Sequence, residues 1–555
     1  LSGKWYIIHN RSVHMTHKMH TVFILVSSLI VSLGIFASCN SKDQQAMLRQ
    51  EREYTEAVRH ARAPSMNGDG LAKSKMDGMP AGIEHDREQY EKRTENGFFD
   101  AARIPLSTFS IDVDTASWAN IRRFLQSGRL PPKDAVRLEE CVNYFPYAYE
   151  GPSDGRPFAV HAEVADCPWA EGRQLVRIGV QGKHISLENL PPANLVFLLD
   201  VSGSMFSENK LPLVKNALSM LTRKLRPQDR VSIVVYAGAA GLVLPPTKGS
   251  DKETILGALD RLQAGGSTAG GAGIKLAYKV AEENFDRNGN NRVILCTDGD
   301  FNVGASSDGE MVRLIEEKRA TGVYLTILGF GMGNYQDAKI QKMADAGNGN
   351  YSYIDSAMEA RKVLINQMGG TLLTIAKDVK IQIEFNPAYV GSYRLLGYEK
   401  RMLRAEDFRD DKKDAGELGA GHSVTAIYEI VPKGGANPSG YVEPLRYATN
   451  AVSTGVLNNE LVTVKLRYKL PGNDTSTGFS IPVRTGSTRI DKASQEMRFA
   501  VSVAEAALLL YGSEFKGKAD WNTLIDRAKS SLGRDEEGYR AEFIRLAKLA
   551  AGMQD

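Results

Sequence analysis

The chain has 555 residues, of which 42% are hydrophobic, 24% charged and 8% aromatic. This composition and length are those of a globular protein with roughly three domains, and they exclude a fibrous, disordered or polytopic membrane protein. Lysine and arginine number 69 against 66 acidic residues, and the first 39 residues contain three of the basic residues and no acid. The rest of the chain is therefore balanced in charge. Because nucleic-acid-binding proteins carry a basic face or stripe, we expect no nucleic-acid partner.

An apolar run near the N-terminus predicts export. Residues 21–38 follow a basic residue and end in small residues before Cys39, which is the order of a secretory signal. The four residues that end in Cys39 (FASC) resemble the lipobox of bacterial lipoproteins, in which the cysteine is acylated. We therefore predict a signal peptide over 1–39, a lipid on Cys39, and a protein anchored to a membrane of the bacterial envelope, facing the periplasm or the cell surface. The alternative is an uncleaved anchor, for which 18 residues is the short limit. We expect translation to begin at Met15 or Met19.

The segment after the signal predicts a flexible tether. Residues 40–105 are rich in charged residues, glycine and methionine and poor in β-branched and aromatic residues. Such a segment cannot bury enough apolar surface to offset the entropy lost on ordering. We therefore expect residues 40–105 to hold the folded part away from a membrane.

Three domains are predicted in the remaining chain. Residues 106–190 combine a strand, helical stretches and two further strands, which indicates an N-terminal α+β domain. Residues 191–372 alternate continuously apolar strands with amphipathic helices, which is typical of a doubly wound, Rossmann-like α/β domain with a parallel sheet. Residues 373–555 begin with alternating strands, which favour a β-sandwich-like unit, and end in helices. The last helix is expected to bury one face, formed by Phe543, Leu546, Ala547 and Ala550.

Polar side chains follow two strands of the predicted parallel sheet. Asp200 ends the first strand and is followed by Ser202 and Ser204, Asp298 follows a later strand, and a glycine-rich turn between them carries Thr268. Ligands of open parallel sheets bind beyond the carboxyl ends of the strands. Carboxylate and hydroxyl oxygens are the ligands of a small hard cation, and Mg²⁺ takes six of them. The five residues therefore predict a metal site. The alternative is that the serines cap the following helix and the aspartates are turn residues.

This arrangement resembles the metal-ion-dependent adhesion site of von Willebrand factor type A domains, and all five positions match its pattern. The resemblance implies that Mg²⁺, or Mn²⁺ or Ca²⁺ in its place, binds there and takes a Glu or Asp of a protein partner at an open position. Residues 109–152, residues 297–304 and the C-terminal part resemble bacterial exported lipoproteins in which such a domain is flanked by family-specific N- and C-terminal domains. That wider resemblance implies an architecture and no established biochemical activity.

Two functions follow from these features. The first is a membrane-tethered, metal-dependent binding protein that recruits another envelope protein, and the alternative is a structural or assembly factor whose metal site is regulatory. We predict no enzyme, because no nucleophile with a base, no acid–base pair and no phosphate cradle accompanies the metal ligands. Asp112, Asp114 and Thr115 are close to a phosphatase pattern, but Ala116 stands where its threonine belongs. We expect Asp114 or Thr115 to cap a helix instead.

The cysteines have simple expected roles. Four cysteines in a chain of this length do not make a disulfide scaffold. Cys296 lies within an apolar strand and is predicted to be a buried thiol. Cys141 and Cys167 either pair in an oxidising compartment or stay reduced, and the sequence leaves both possibilities open.

Overall fold

A computed structural model describes residues 88, 90–266, 270–299, 301, 308–332, 336–367, 369–370, 373–436, 438 and 459–554. The predicted signal peptide with Cys39, the predicted tether up to residue 87 and the predicted metal ligand Thr268 lie outside these residues. Within the described ranges, no helix combines the length and the apolar character that a membrane span requires.

The described residues before the central domain form four strands and two α-helices. In chain order these are β1 (Phe99–Asp100), β2 (Leu106–Ser110), α1 (Ala116–Gln126), α2 (Leu138–Asn143), β3 (Phe158–Asp166) and β4 (Gln174–Gly182).

The central domain is a doubly wound α/β domain, as predicted. Its strands are β5 (Ala193–Asp200), β6 (Arg230–Tyr236), β7 (Ala240–Lys248), β8 (Asn290–Thr297), β9 (Val323–Phe330) and β10 (Tyr351–Ile354). They lie in the order β10–β9–β8–β5–β6–β7, and all neighbours are parallel except β7, which is antiparallel to β6. The helices are α3 (Leu211–Lys224), α4 (Lys252–Asp260), α5 (Gly270–Glu283), α6 (Asp308–Ala320), α7 (Asp337–Ala346) and α8 (Ala357–Arg361).

Alternate side chains of β5 enter two different hydrophobic cores. Phe197 and Leu199 belong to the core on one face of the sheet, and Val196 and Leu198 belong to the core on the other face. Because side chains of a strand alternate between faces, a strand covered by helices on both faces must be apolar throughout. This explains the continuous apolar run that ends at Asp200.

The described residues after the central domain form seven strands and three α-helices. They are β11 (Thr374–Phe385), β12 (Val390–Leu396), β13 (Met402–Leu403), β14 (Gly416–Gly419), β15 (Ser423–Pro432), β16 (Glu460–Lys469), β17 (Thr477–Arg484), α9 (Gln495–Tyr511), α10 (Trp521–Ser530) and α11 (Tyr539–Gln554).

Strands from before and after the central domain share two sheets. One sheet has the order β1–β12–β15–β4–β3, and the other has the order β13–β2–β11–β16–β17, with β14 also paired to β11. The pairs β4–β15 and β2–β11 are antiparallel and join the two parts of the chain. One hydrophobic core contains Phe109 and Ile383 of the second sheet together with Ile178 and Tyr428 of the first. We call the described residues of 88–190 and 373–554 the composite domain.

Helices from both parts of the chain also share a core. Trp118 of α1, Phe145 after α2, Phe499 of α9 and Phe543 of α11 pack together, with ring centroids of the Trp118–Phe145 and Phe145–Phe499 pairs 5.1 and 5.2 Å apart. The expected inner face of α11 is buried, including Phe543 and Ala550.

The composite domain differs from the predicted organisation in two respects. Residues 106–190 and 373–555 were expected to fold as separate domains, but their strands hydrogen-bond to each other in common sheets. Residues 90–105 were expected to belong to the tether, yet they contain β1, which pairs with β12. Periodicity identifies strands but not their partners, and a polar segment can be ordered by ion pairs that composition does not reveal.

Polar contacts tie the composite domain to the central domain. The Asp114 carboxylate accepts a hydrogen bond from the Tyr351 amide in β10 at 2.9 Å. Thr115, at the start of α1, makes no capping hydrogen bond with its side chain. The expectation that Asp114 or Thr115 caps this helix is therefore wrong, because Asp114 binds a neighbouring strand instead.

The described cysteines are all reduced. Cys141, Cys167 and Cys296 are buried and unpaired. Cys296 lies in β8 and is fully buried, which confirms the expected buried thiol.

Candidate metal centre

Two buried carboxylates lie at the same edge of the central sheet. Asp200 is the last residue of β5, and Asp298 directly follows β8. These strands are parallel neighbours, with Leu199 opposite Cys296, so their carboxyl ends meet at one edge. Both carboxylates are almost completely buried. The fold therefore brings the two acidic residues of the motif side by side.

The two serines of the motif lie in the loop that leaves Asp200. The Ser202 amide donates a hydrogen bond to Asp200 Oδ1 at 2.9 Å. The hydroxyl oxygens of Ser202 and Ser204 are 3.0 Å apart. A carboxylate and two hydroxyls thus lie within one short turn.

The glycine-rich turn contacts this loop. The Gly203 amide donates to the Gly266 carbonyl at 3.0 Å, and Gly266 has a φ of +82°, a backbone conformation that glycine adopts without strain. Thr268, the remaining residue of the motif, follows this turn and lies outside the described residues.

The other carboxylate oxygen of Asp200, Oδ2, indicates whether a metal fits this site. Asp200 Oδ2 is buried and has no hydrogen-bond partner among the described residues. A buried carboxylate oxygen without a partner is costly, whereas a cation would satisfy it. The surrounding carboxylate and hydroxyl oxygens are the ligand types that Mg²⁺, Mn²⁺ and Ca²⁺ accept. The residues present therefore fit a hard divalent cation.

The electrostatics of Asp200 agree with this fit. Burial raises the pKa of the Asp200 carboxyl to about 6, the negative charge of Asp298 adds to the rise, and the hydrogen bonds from Ser202 oppose it. A nearby positive charge favours the ionised form of a carboxyl group. A divalent cation would therefore favour the ionised form of Asp200.

Lys210 is a residue of this centre that the sequence analysis missed. Its ammonium donates a hydrogen bond to Asp298 Oδ2 at 2.9 Å, and the two side chains are only 11% and 1% exposed. Lys210 immediately precedes α3, so the loop that begins after Asp200 returns to the site at its other end. A single lysine before a helix belongs to no spaced motif, and nothing in the sequence singled it out.

A second acidic group lies in the composite domain. Asp112, Glu139 and Glu140 each bring one carboxylate oxygen within 4.8 Å of the others. Arg401 Nε donates to Asp112 at 2.9 Å, Arg137 pairs with Glu140, and a guanidinium nitrogen of Arg93 lies 4.0 Å from Glu139 Oε1. Because arginines balance these carboxylates, we assign no metal to them.

Family models cover most of the described chain. The model described as von Willebrand factor type A domain matches residues 194–367, and the model described as uncharacterized protein YfbK, C-terminal, matches residues 370–553. A model described as von Willebrand factor matches residues 84–177.

The chain is similar to two bacterial proteins in sequence and to one solved structure. The chain is 45% identical over 475 residues to the uncharacterized protein YfbK of Escherichia coli (strain K12), covering 84% of this chain and 82% of that protein. It is 32% identical over 191 residues to the uncharacterized protein sll0103 of Synechocystis, covering 34% of this chain and 43% of that protein. A solved structure, von Willebrand factor type A from Catenulispora acidiphila, is 16% identical with a TM-score of 0.39, covering 69% of this chain and 89% of that one.

Proposed function

Since the chain belongs to the family of the uncharacterized protein YfbK and has a von Willebrand factor type A domain at its centre, we propose that it binds a partner protein through a divalent cation. Mg²⁺ is the first candidate, with Mn²⁺ or Ca²⁺ as substitutes. The residues that would hold the cation are Asp200, Ser202, Ser204, Thr268 and Asp298.

The observation that carries this proposal is the buried Asp200 Oδ2, which has no hydrogen-bond partner among the described residues. Two carboxylates balance the charge of a divalent cation, while hydroxyl ligands add no charge. A cation with an open position in such a site retains affinity for another oxygen. A Glu or Asp side chain of a partner offers an oxygen of the right kind, so affinity for the partner would depend on the metal.

The surface beside the site supports a protein ligand. Phe206 lies two residues after Ser204 and is 82% exposed. It borders a groove of about 470 Å³ whose other lining residues include Leu211, Pro212 and Leu262. An exposed apolar patch of this kind is typical of a surface that another protein covers.

Calorimetric titration of the whole exported chain with Mg²⁺ tests the metal site. We expect binding by the natural sequence, loss of tight binding in Asp200→Ala and Asp298→Ala, and a smaller loss in Ser202→Ala because it removes a neutral ligand. Asp260→Ala is the matched control, since that carboxylate is exposed at the end of α4. Equal Mg²⁺ affinity in Asp200→Ala and Asp260→Ala would contradict the proposed site.

Capture from an envelope extract separates the two candidate functions. We expect partners that bind in Mg²⁺ and are lost with a chelator or in Asp200→Ala. The second candidate, a structural or assembly factor, is favoured by the buried ion pairs that fix the central domain to the composite domain, such as Arg137 with Asp337. Partners that bind equally with and without metal would make the composite domain the binding surface.

The location of this function rests on Cys39. We propose that lipid on Cys39 anchors the protein to a membrane of the bacterial envelope, because acyl chains favour a bilayer and the charged segment that follows does not. Labelling with a fatty acid should mark the natural sequence but not Cys39→Ser, and the variant should be released from membranes. Unlabelled protein that stays on the membrane would indicate an uncleaved anchor.

A further inference from the structure

The charge that faces Asp298 comes from the chain itself. Lys210 Nζ lies 2.9 Å from Asp298 Oδ2, and this carboxylate is among the proposed metal ligands. We propose that Lys210 is a built-in competitor of the divalent cation, and that metal binding displaces its ammonium from Asp298. This inference rests on the proposed function, because it concerns the regulation of the same site.

The position of Lys210 is built into the fold. Its aliphatic stem crosses Gly331, which directly follows β9: a Cβ atom on that glycine would lie 2.3 Å from Lys210 Cε and 2.6 Å from its Cγ. Gly331 has a φ of +76°, which also favours glycine. The Lys210 amide in turn donates to the Ser207 carbonyl at 2.9 Å. A mobile surface lysine would have neither the fixed backbone nor the space left for its stem.

Like charges make the two cations mutually exclusive. An ammonium hydrogen-bonded to one oxygen of Asp298 would lie within a few ångströms of a metal bound to the same carboxylate, and the side chains of Lys210 and Asp298 are only 11% and 1% exposed. Repulsion between positive charges at such distances is strong where water is excluded. The ammonium has an alternative, because it can reach water when its stem leaves Gly331. The divalent cation, with more oxygen ligands available, therefore replaces the lysine.

Displacement of Lys210 would also change the position of the surface where a partner docks. Ser204, Phe206 and Lys210 belong to one loop, and Phe206 is its exposed aromatic residue. Release of the Lys210 ammonium frees the end of this loop from Asp298. Metal occupancy would thereby be coupled to the position of the apolar surface beside it.

Titration with Mg²⁺ alone tests the competition. In Lys210→Met, the metal no longer displaces an ammonium, and we expect Mg²⁺ to bind at least tenfold more tightly than to the natural sequence. Lys215→Met is the matched control, because the Lys215 ammonium donates to the carbonyls of Asp260 and Leu262 and does not touch the site. Its Mg²⁺ affinity should be unchanged. Equal or weaker binding in Lys210→Met would overturn the inference, whereas absence of binding in every variant would instead overturn the proposed function.

A measurement on the natural sequence covers the case in which Lys210→Met does not fold. Amine-reactive labelling read by mass spectrometry reports how accessible each lysine is. Lys210 should be protected without metal and should label several-fold faster in saturating Mg²⁺, and a chelator should restore protection. Lys215 provides the internal reference. Protection of Lys210 that persists at saturating Mg²⁺ would overturn the displacement.

Discussion

Arg122 connects three distant parts of the chain, and its replacement by Met is the sharpest test of how the domains are joined. The guanidinium donates to Asp355 Oδ2 at 2.7 Å and to Glu359 Oε2 at 2.7 Å in the central domain. It also donates to Glu542 Oε2 in α11 at 3.2 Å and to the Tyr144 hydroxyl at 2.7 Å. The Arg122 side chain is 1% exposed.

The expected cost follows from the burial of the remaining charges. Removal of one partner from a buried ion pair typically costs about 3–5 kcal/mol, because the other charge stays buried without compensation. Arg122 donates two hydrogen bonds to Asp355, whose side chain is 7% exposed, so Arg122→Met should lower the free energy of unfolding by roughly this amount. Arg545→Met is the matched control: Arg545 pairs with the same Glu542 at 3.2 Å but is 55% exposed. We expect it to cost less than about 0.5 kcal/mol.

Urea unfolding followed by tryptophan fluorescence measures this difference. The described tryptophans, Trp118, Trp169 and Trp521, all lie in the composite domain, and residues 191–372 contain none. The fluorescence transition therefore reports the composite domain, and circular dichroism reports both domains. The reasoning would be refuted if Arg122→Met and Arg545→Met shifted the fluorescence transition equally. Asp355→Asn added to Arg122→Met should recover part of the loss, because Asp355 loses both hydrogen bonds from Arg122 and the second substitution removes the charge left behind.

Two further predictions concern the N-terminal boundary and the pH dependence of stability. A chain starting at residue 106 should melt at a lower temperature than one starting at residue 84, and its free energy of unfolding should be lower by at least roughly 2 kcal/mol. The shorter chain lacks β1 and the Glu88 carboxylate that pairs with Arg123 at 2.8 Å. Equal melting temperatures would mean that residues 84–105 contribute nothing to stability. Burial lowers the pKa of His422 to about 4, with Arg292 and Lys362 adding to the effect. Since the unfolded chain takes up this proton near pH 6.5 and the folded chain does not, up to roughly 3 kcal/mol of stability should be lost as the pH falls from 6.5 to 4. His422→Gln should show a flatter profile in urea unfolding across this range, and an unchanged profile would show that His422 is not the source.

Local patterns were enough to predict the central domain. The apolar run that ends at Asp200 is fully buried because helices cover both faces of β5, and that burial is visible in the sequence. The sequence did not show with which strands β2 and β4 pair. Alternation shows that a strand has one buried face, but β11 and β15 lie far away along the chain and carry the same kind of pattern. The separation into two flanking domains failed for this reason.

The candidate site was predictable to the extent that its residues form a spaced motif. Asp200, Ser202 and Ser204 lie in one turn, and the parallel pairing of β5 with β8 places Asp298 beside them. The sequence did not identify Lys210 as a residue of the site, because its role depends on the space above Gly331, which is a property of the folded chain. The sequence did not predict the ordered position of Glu88 for a related reason, since a carboxylate in a polar segment is ordered only by the arginine that it contacts in the fold.

The shared sheets impose an order on folding during synthesis. β2 ends about 260 residues before β11 begins, and the cost of closing so long a loop must be met before the two strands pair. The central domain has all six of its strands once residue 354 has been made, whereas β2 still lacks β11, and β4, although paired with β3, still lacks β15. Unpaired strands of this kind are prone to aggregate. A nascent chain therefore exposes unpaired edges of β2 and β4 until residues 374–432 have been made, and a chain cut short after the central domain would retain one finished domain beside a permanently open one.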